Sequence, residues 1–228
     1  MQAQAKTDQE QRYRQVLSQI HKLAGASQQV ELLVVSKGHG ADALRQLHGL
    51  GQQSFGENYA QEFLIKASEL NDLPIRWIFI GHLQSNKIKK IVKVAAEIQT
   101  VGTLRQAELI GQAAREFGKT PYPIWIEVNA DQEESKHGCP KDEVLTLAAA
   151  IQGNPDLHLT GLMAIPPSVY QDETSPEVPE LYHELRRLAD KVGDGRLSLG
   201  MSGDLGLAIR AGSNLVRIGT AILGPRQV

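Results

Sequence analysis

The sequence predicts an α/β fold, a single (β/α)8 (TIM) barrel preceded by an extra N-terminal helix. Eight short apolar runs alternate along the chain with segments of helical periodicity. Several runs are apolar at consecutive positions, as in residues 32–35, which is typical of parallel strands buried on both faces. The 228 residues suit the lower end of the size range of such barrels.

Each element follows from its apolar spacing. The predicted strands span residues 30–36, 53–55, 77–81, 98–101, 124–128, 157–164, 197–200 and 215–219. The predicted helices between them, with apolar residues three or four positions apart, span 41–50, 59–70, 87–95, 104–117, 141–151, 178–192 and 205–211. A further helix, at about 8–24, precedes the first strand.

An open, doubly wound sheet is the competing architecture. That fold predicts a glycine-rich phosphate loop after the first strand. The first strand is followed instead by Ser36-Lys37-Gly38-His39-Gly40, which matches neither GxGxxG nor the P-loop. No linker-like tract divides the chain, so residues 1–228 are expected to form one domain. Residues 166–179, with four prolines, are expected to form a long loop or lid.

Composition excludes several classes of protein. Lys and Arg number 24 against 26 Asp and Glu, and this near-neutral balance argues against a dedicated nucleic-acid-binding protein. The single cysteine, Cys139, excludes an internal disulfide and a cysteine-cluster metal site. No apolar run approaches the roughly 18 residues of a membrane span, and residues 1–15 show no secretory signal. We therefore expect a cytoplasmic protein.

Lys37 is the first candidate site residue, because barrels place their chemistry at the carboxyl ends of the strands. It ends the most apolar predicted strand, where a cation is unfavourable unless it is paired or neutralised. Burial lowers the pKa of an amine and frees its lone pair for Schiff-base chemistry. The alternative is a lysine whose stem lies along the strand end while its ammonium group reaches water.

Two loops of small residues follow the seventh and eighth predicted strands. Ser202 and Gly203 lie in the first loop, and Gly219 and Thr220 in the second. Barrels commonly bind phosphate here, because small residues let backbone N–H groups approach an anion and hydroxyl groups add donors. Each pair alone could simply cap a helix or turn the chain. The two loops together, opposite a lysine at a strand end, favour a phosphate site.

Arg217 lies in the eighth predicted strand. Alternation places Val216 and Ile218 on one face and Arg217 on the other, which points into the barrel if the first face meets the helices. A buried guanidinium needs a partner, which could be Glu57, Glu127 or a ligand atom. Together, the lysine, the two small-residue loops and the arginine suggest a site for pyridoxal 5′-phosphate. The arginine would face the ring nitrogen of this cofactor and leave it unprotonated.

Seven ordered motifs resemble those of the pyridoxal phosphate homeostasis protein family. They span residues 33–37, 55–62, 79–87, 134–138, 161–163, 197–204 and 216–224. The resemblance implies a barrel like the N-terminal domain of alanine racemase, the type III fold of pyridoxal-phosphate proteins. It also implies a Schiff base on Lys37, Asn58 beside the ring, Arg217 facing the ring nitrogen, and phosphate contacts from Ser202, Gly203, Gly219 and Thr220. The family usually has Thr-Lys or a similar pair after the lysine, whereas this chain has Gly38-His39-Gly40.

The first candidate function is a non-enzymatic carrier that buffers the cofactor and delivers it to cofactor-free enzymes, and we expect a monomer because the additional β domain that supports the dimer of alanine racemase is missing. The alternative is an enzyme such as an amino-acid racemase, which needs two bases on opposite faces of its substrate. In alanine racemase the second base is a tyrosine from an additional β domain of the other subunit of the dimer. We expect no such domain here, because this chain ends at Val228, nine residues after the last predicted strand. We therefore favour the carrier, with no catalytic residue and no metal.

The remaining polar groups have structural interpretations. His82, which follows the third predicted strand, is expected to be hydrogen-bonded rather than to act in acid–base chemistry. Lys136 and His137 could receive a second phosphate-bearing molecule, although this is the less favoured interpretation. A basic helix is expected to present a solvated face made of Lys87, Lys89, Lys90 and Lys93.

Overall fold

A computed structural model describes residues 2–26, 28–130, 137–170 and 177–225 of the chain. Within these ranges, eight parallel strands form a closed ring: β1 (Glu31–Val35), β2 (Ser54–Glu57), β3 (Arg76–Phe79), β4 (Glu97–Val101), β5 (Tyr122–Asn129), β6 (Leu157–Ala164), β7 (Arg196–Ser198) and β8 (Leu215–Ile218). Strands adjacent in the chain are adjacent in the ring, and the β8–β1 and β4–β5 pairings close it. The predicted (β/α)8 barrel is confirmed.

The helices form the outer layer of the barrel. They are α1 (Gln2–Ala24), α2 (Ala41–Gly49), α3 (Ala60–Glu69), α4 (Ile88–Val94), α5 (Leu104–Glu116), α6 (Val144–Gln152), α7 (Glu180–Ala189), α8 (Leu205–Arg210) and α9 (Thr220–Leu223). All eight predicted helices are present, whereas α9 and a two-residue strand, Cys139–Pro140, had no predicted counterpart. The predicted lid lies partly outside the described residues, at 171–176. In the part of the chain that is described, no helix is both long and apolar enough to cross a bilayer.

The apolar core has two layers, because successive side chains of a strand point to opposite faces. The outward residues of β1, Leu32 and Val34, belong to a large cluster with the helices. Leu33 and Val35 point inward and join a smaller cluster that fills the barrel, with Ile78, Ile80, Trp125, Met163 and Leu215. Burial on both faces is why the β1 segment is apolar at consecutive positions.

An ionic floor closes the amino end of the barrel. Arg76 contacts Glu31 and Glu97, each at 2.5 Å. Arg196 reaches Glu31 at 3.3 Å and lies over the ring of Trp125, 5.3 Å from its centroid. With charged groups packed across this end, the cavity that can accept a ligand lies at the opposite end, where the strands finish.

Candidate functional site

A cavity of about 300 Å³ opens at the carboxyl end of the barrel. This volume is at the lower end of the range for small-molecule and cofactor sites. All seven residues that the sequence predicted for the site line it: Lys37, Asn58, Ser202, Gly203, Arg217, Gly219 and Thr220. The other lining residues were not predicted as ligand contacts: Val35, His39, Ile80, Met163, Ile165 and Met201. The lining therefore combines apolar side chains with two basic side chains and several small polar residues.

Lys37 reaches the cavity through a tight turn at the end of β1. The Ser36 amide continues the strand pairing by donating to the Gly56 carbonyl at 3.0 Å. Gly38 has a φ of +75°, in the left-handed region that favours glycine, and the His39 amide closes the turn on the Ser36 carbonyl at 3.1 Å. His39 is buried and lines the same cavity as Lys37. Only the unusual sequence of this loop gave a signal for His39.

Asn58 is held at the cavity by a close approach of two loops. A Cβ on Gly81, just beyond β3, would lie 1.7 Å from the Asn58 carbonyl oxygen, so this position accommodates only glycine. The side-chain Oδ1 of Asn58 is buried and has no hydrogen-bond partner among the described residues. A buried acceptor without a donor is unfavourable, and a ligand that donates a hydrogen bond would satisfy it.

Arg217 points into the barrel, as the alternation of β8 predicted, since Val216 and Ile218 pack in the outer cluster. Its guanidinium donates to the Ser198 carbonyl at 2.7 Å, to Ser198 Oγ at 2.8 Å and to the Ala164 carbonyl at 2.8 Å. These neutral acceptors fix the plane of the side chain, which is 4% exposed. Burial lowers the pKa of Arg217 to about 10, opposed by the nearby charges of Asp204 and Glu127, so it stays protonated at neutral pH.

The alternative that Glu57 pairs with Arg217 is wrong. Glu57 shares its strand face with Phe55, which belongs to the outer cluster, and its Oε1 lies 2.5 Å from Lys66 Nζ. Asp204 and Glu127 are the acidic neighbours that act on Arg217 through charge. Burial raises the pKa of Glu127 to about 7, and the positive charge of Arg217 opposes the shift.

The two small-residue loops meet at one side of the cavity. Gly219 brings the end of β8 against β1, because a Cβ there would lie 3.0 Å from the Val35 carbonyl oxygen. The alternative that Ser202 caps α8 is wrong: the residue at the N-cap is Asp204, which accepts from the Met201 amide at 2.6 Å and from the Tyr182 hydroxyl at 2.6 Å. Because α8 and α9 have six and four residues, backbone N–H and hydroxyl groups contribute more to this cradle than helix dipoles do.

Of the other predicted candidates, those among the described residues do not line the cavity. His82 stacks on His137, with ring centroids 3.8 Å apart, and burial and the charge of His137 lower the pKa of His82. Lys136 lies outside the described residues. The solvated face of the basic helix is confirmed, since Lys89, Lys90 and Lys93 are exposed. Among the described residues, no three side chains are grouped as metal ligands.

Comparison with known proteins assigns the family. Residues 10–227 match the family model of the alanine racemase N-terminal domain. The pyridoxal phosphate homeostasis protein of Pseudomonas aeruginosa is 40% identical over 203 residues, which cover 87% of this chain and 85% of that protein. The chain belongs to the pyridoxal phosphate homeostasis protein family. The member of this family from Schizosaccharomyces pombe is also 40% identical, over 217 residues that cover 92% of this chain and 90% of that protein.

Solved structures share the barrel. The structure of PipY from Synechococcus elongatus with PLP bound superposes with a TM-score of 0.79 at 29% identity, and the match covers 94% of this chain and 99% of PipY. An alanine racemase of Clostridium difficile gives a TM-score of 0.72 at 17% identity and is covered over 55% of its length. The second likeness shows the fold alone. Pyridoxal phosphate homeostasis proteins thus share their barrel with part of a larger enzyme.

Proposed function

We propose that this chain binds pyridoxal 5′-phosphate and maintains its supply in the cytoplasm, as a single-domain monomer spanning residues 1–228. In this role it buffers the reactive cofactor and delivers it to cofactor-free enzymes, without turnover of its own. The family assignment and the PLP-bound structure of PipY support the choice of ligand. The relatives are named for homeostasis of the cofactor rather than for catalysis, which supports the non-enzymatic role.

The observation that carries the proposal is one cavity that contains an amine, a buried guanidinium and two small-residue loops. Pyridoxal 5′-phosphate supplies an aldehyde that condenses with a lysine amine to a Schiff base, with loss of one water. Lys37 would hold the cofactor in this way, and the loops containing Ser202, Gly203, Gly219 and Thr220 would hold the phosphate. Arg217 would leave the ring nitrogen unprotonated, since a guanidinium does not give up its proton at neutral pH.

Asn58 provides an independent test of the fit. Its buried Oδ1 lacks a donor among the described residues, and the phenolic oxygen of pyridoxal can supply one when protonated. The remaining wall, which includes Val35, Ile80 and Met163, is apolar and suits the face of an aromatic ring. The chemistry of the lining residues therefore fits the cofactor.

Covalent labelling tests the role of Lys37. Borohydride reduction of the protein after incubation with pyridoxal 5′-phosphate should place the label on Lys37 in peptide mass maps. Lys37→Ala should weaken cofactor binding by at least about 100-fold, because the covalent link is lost. The matched change Lys89→Ala removes an exposed lysine and should leave binding unchanged. A wild-type label at another lysine, or no label, would overturn the assignment.

Transfer and turnover experiments separate the carrier from an enzyme. The cofactor-loaded protein, mixed with a cofactor-free pyridoxal-phosphate enzyme, should restore more activity than the free cofactor that it releases on its own. Incubation with D- and L-alanine, followed by chiral chromatography, should give no sustained interconversion. Racemisation through many turnovers would contradict the carrier role, and a sedimentation mass of two chains would contradict the monomer.

A further inference from the structure

A buried ionic cluster lies directly behind the loop that carries Lys37, between the ends of β1 and β2 and helix α3. The Nζ atom of Lys66 lies 2.5 Å from Glu57 Oε1 and 2.6 Å from Glu62 Oε1. It also donates to the Ser36 carbonyl at 2.6 Å. The side chains of Lys66 and Glu57 are 5% and 0% exposed, so the cluster is largely removed from water.

Three oxygen acceptors surround the Nζ atom of Lys66, which matches the three N–H donors of a lysine ammonium group. Lys66 does not line the cavity, in contrast to Lys37. Burying such charges is unfavourable in itself, and a buried ion pair is weak evidence for added stability. The cluster is more informative through the backbone geometry that its hydrogen bonds impose.

The cluster holds the backbone on both sides of Lys37. Lys66 binds the carbonyl of Ser36, the residue before Lys37. Glu62 Oε1 accepts the amide of Gly38, the residue after Lys37, at 2.6 Å. At the end of the neighbouring strand β2, Glu57 Oε2 accepts the amide of Asn58 at 3.3 Å. One set of charges thus connects the lysine loop, the neighbouring strand end and the helix behind them.

We propose that Lys66, Glu57 and Glu62 form a positioning clamp that fixes the turn around Lys37 and so directs its amine into the cavity. The inference rests on the proposed cofactor binding. Gly38 and Gly40 flank His39 and give this turn many other backbone conformations, so a turn without the clamp would hold the amine away from its target for part of the time. Correct placement of a reacting group is a large contribution to reaction rate.

Glu62→Ala is the decisive variant. It removes the acceptor of the Gly38 amide, and the Lys66–Glu57 pair remains, so the barrel is expected to fold. Hydrogen exchange at the Gly38 amide should become about tenfold faster, and Schiff-base formation should become about tenfold slower, as expected for loss of one charge-assisted hydrogen bond. The second rate is followed by the growth of visible absorbance after pyridoxal 5′-phosphate is added. The exchange measurement needs no cofactor.

Two controls surround this variant. Glu62→Gln keeps an oxygen acceptor for Gly38 and should restore both rates to within about twofold of the wild type. Glu69→Ala makes the same change at an exposed position of the same helix and should leave both rates unchanged. The double variant Lys66→Met/Glu57→Gln removes both buried charges together, avoids an uncompensated carboxylate, and should show the same slow reaction as Glu62→Ala.

The outcomes distinguish the clamp from the proposed function. Wild-type rates of both Gly38 exchange and Schiff-base formation in Glu62→Ala would overturn the clamp. Equal effects of Glu62→Ala and Glu62→Gln would also overturn it, since only the alanine removes the acceptor. A wild-type chain that forms no Schiff base would refute the proposed function instead, and the exchange rate of Gly38 would still decide whether the clamp holds the turn.

Discussion

Glu127 shows how position on a strand determines the ionisation of a single residue. The alternation of β5 places Trp125 and Glu127 on the inner face of the barrel. Burial raises the pKa of Glu127 from 4.5 to about 7 despite the nearby Arg217. Between these two pKa values the folded chain binds more protons than the unfolded chain, so this residue makes stability fall as pH rises from 4.5 to 7.

Glu127→Gln should remove this pH dependence. The free energy of unfolding of the variant, relative to wild type, should rise with pH by up to about 1.4 kcal/mol per pH unit inside that window and level off above it. Urea denaturation at several pH values measures the difference. A difference for Glu127→Gln that stays constant with pH would contradict the raised pKa of Glu127.

A site residue was predictable where the neighbouring residues in the sequence already indicate its environment. Lys37 was predictable because the sequence shows a lysine at the end of an apolar strand. Arg217 was predictable because side chains alternate between the two faces of β8. The alternative that paired Glu57 with Arg217 failed, because the structure places Glu57 on the outer face of β2 together with Phe55. Lys66 gave no signal, because a lysine on an amphipathic helix normally faces water, and only the packing of α3 on two strand ends buries it.

At the scale of elements, the contact between the ends of β2 and β3 shapes the site. Gly81 follows β3 and lies against the backbone of Asn58, while Thr100 Oγ1 donates to the Gly81 carbonyl at 2.7 Å. The hydrogen bond anchors Gly81 from the side of β4. Any side chain at this position must therefore displace the loop that carries Asn58.

Gly81→Ala should damage both the fold and the cavity. Its Cβ would approach the Asn58 carbonyl oxygen to 1.7 Å, so the backbone must shift, and we expect a loss of about 1–3 kcal/mol in stability. Affinity for pyridoxal 5′-phosphate should also fall by about tenfold, as if one hydrogen bond were lost. Urea denaturation and absorbance titration measure the two effects. Gly49→Ala is the control, because Gly49 lies at the exposed end of α2 and a Cβ there meets nothing within 4 Å. This variant should lose less stability and less cofactor affinity than Gly81→Ala. Equal losses in the two variants would contradict the packing argument.

The existence of the elements was more predictable than their ends. The predicted span of β6, residues 157–164, agrees with the structure, whereas β2 continues two residues beyond its predicted end to Glu57. A polar residue at a strand end breaks the apolar run from which the boundary was inferred. The four-residue helix α9 lies below the length at which helical periodicity can be recognised.

For the whole molecule, the ionic floor replaces an apolar plug at the amino end of the barrel. Glu97 is 2% exposed and is bound by Arg76, which is 36% exposed. Gln99 Nε2 donates to Glu97 at 2.7 Å, and Ser198 Oγ donates to Gln99 at 2.9 Å. Because Ser198 also binds Arg217, these polar contacts run through the barrel from the floor to the cavity.

Arg76→Met should destabilise the barrel by leaving the buried carboxylate of Glu97 with less compensation. We expect a loss of about 2 kcal/mol in the free energy of unfolding, below the value for a fully buried pair because Arg76 is partly exposed to solvent screening. Denaturation curves measure the loss, and the double variant Arg76→Met/Glu97→Gln should recover part of it. The exposed pair of Arg45 and Asp72 provides the control, since Arg45→Met should change stability by less than about 1 kcal/mol. No recovery in the double variant would contradict an uncompensated carboxylate as the cause.

The closure of the ring was predictable from the count of strands and helices, whereas the floor was not. Eight alternating units in one chain favour a barrel over an open sheet. The charges of the floor come from four separate strands, and their pairing depends on which strands neighbour one another in space. A single sequence places Glu31 and Arg196 far apart, although the structure brings them together.

The pairing of β1 with β8 joins residues from opposite ends of the chain, with Leu33 opposite Arg217. A polypeptide that has emerged from the ribosome only as far as residue 200 contains Lys37 but lacks Arg217 and the residues proposed to hold the phosphate. Under the proposed function, a nascent chain can therefore make all its contacts with the cofactor only after translation has passed the final strand, and prematurely terminated products should bind the cofactor weakly.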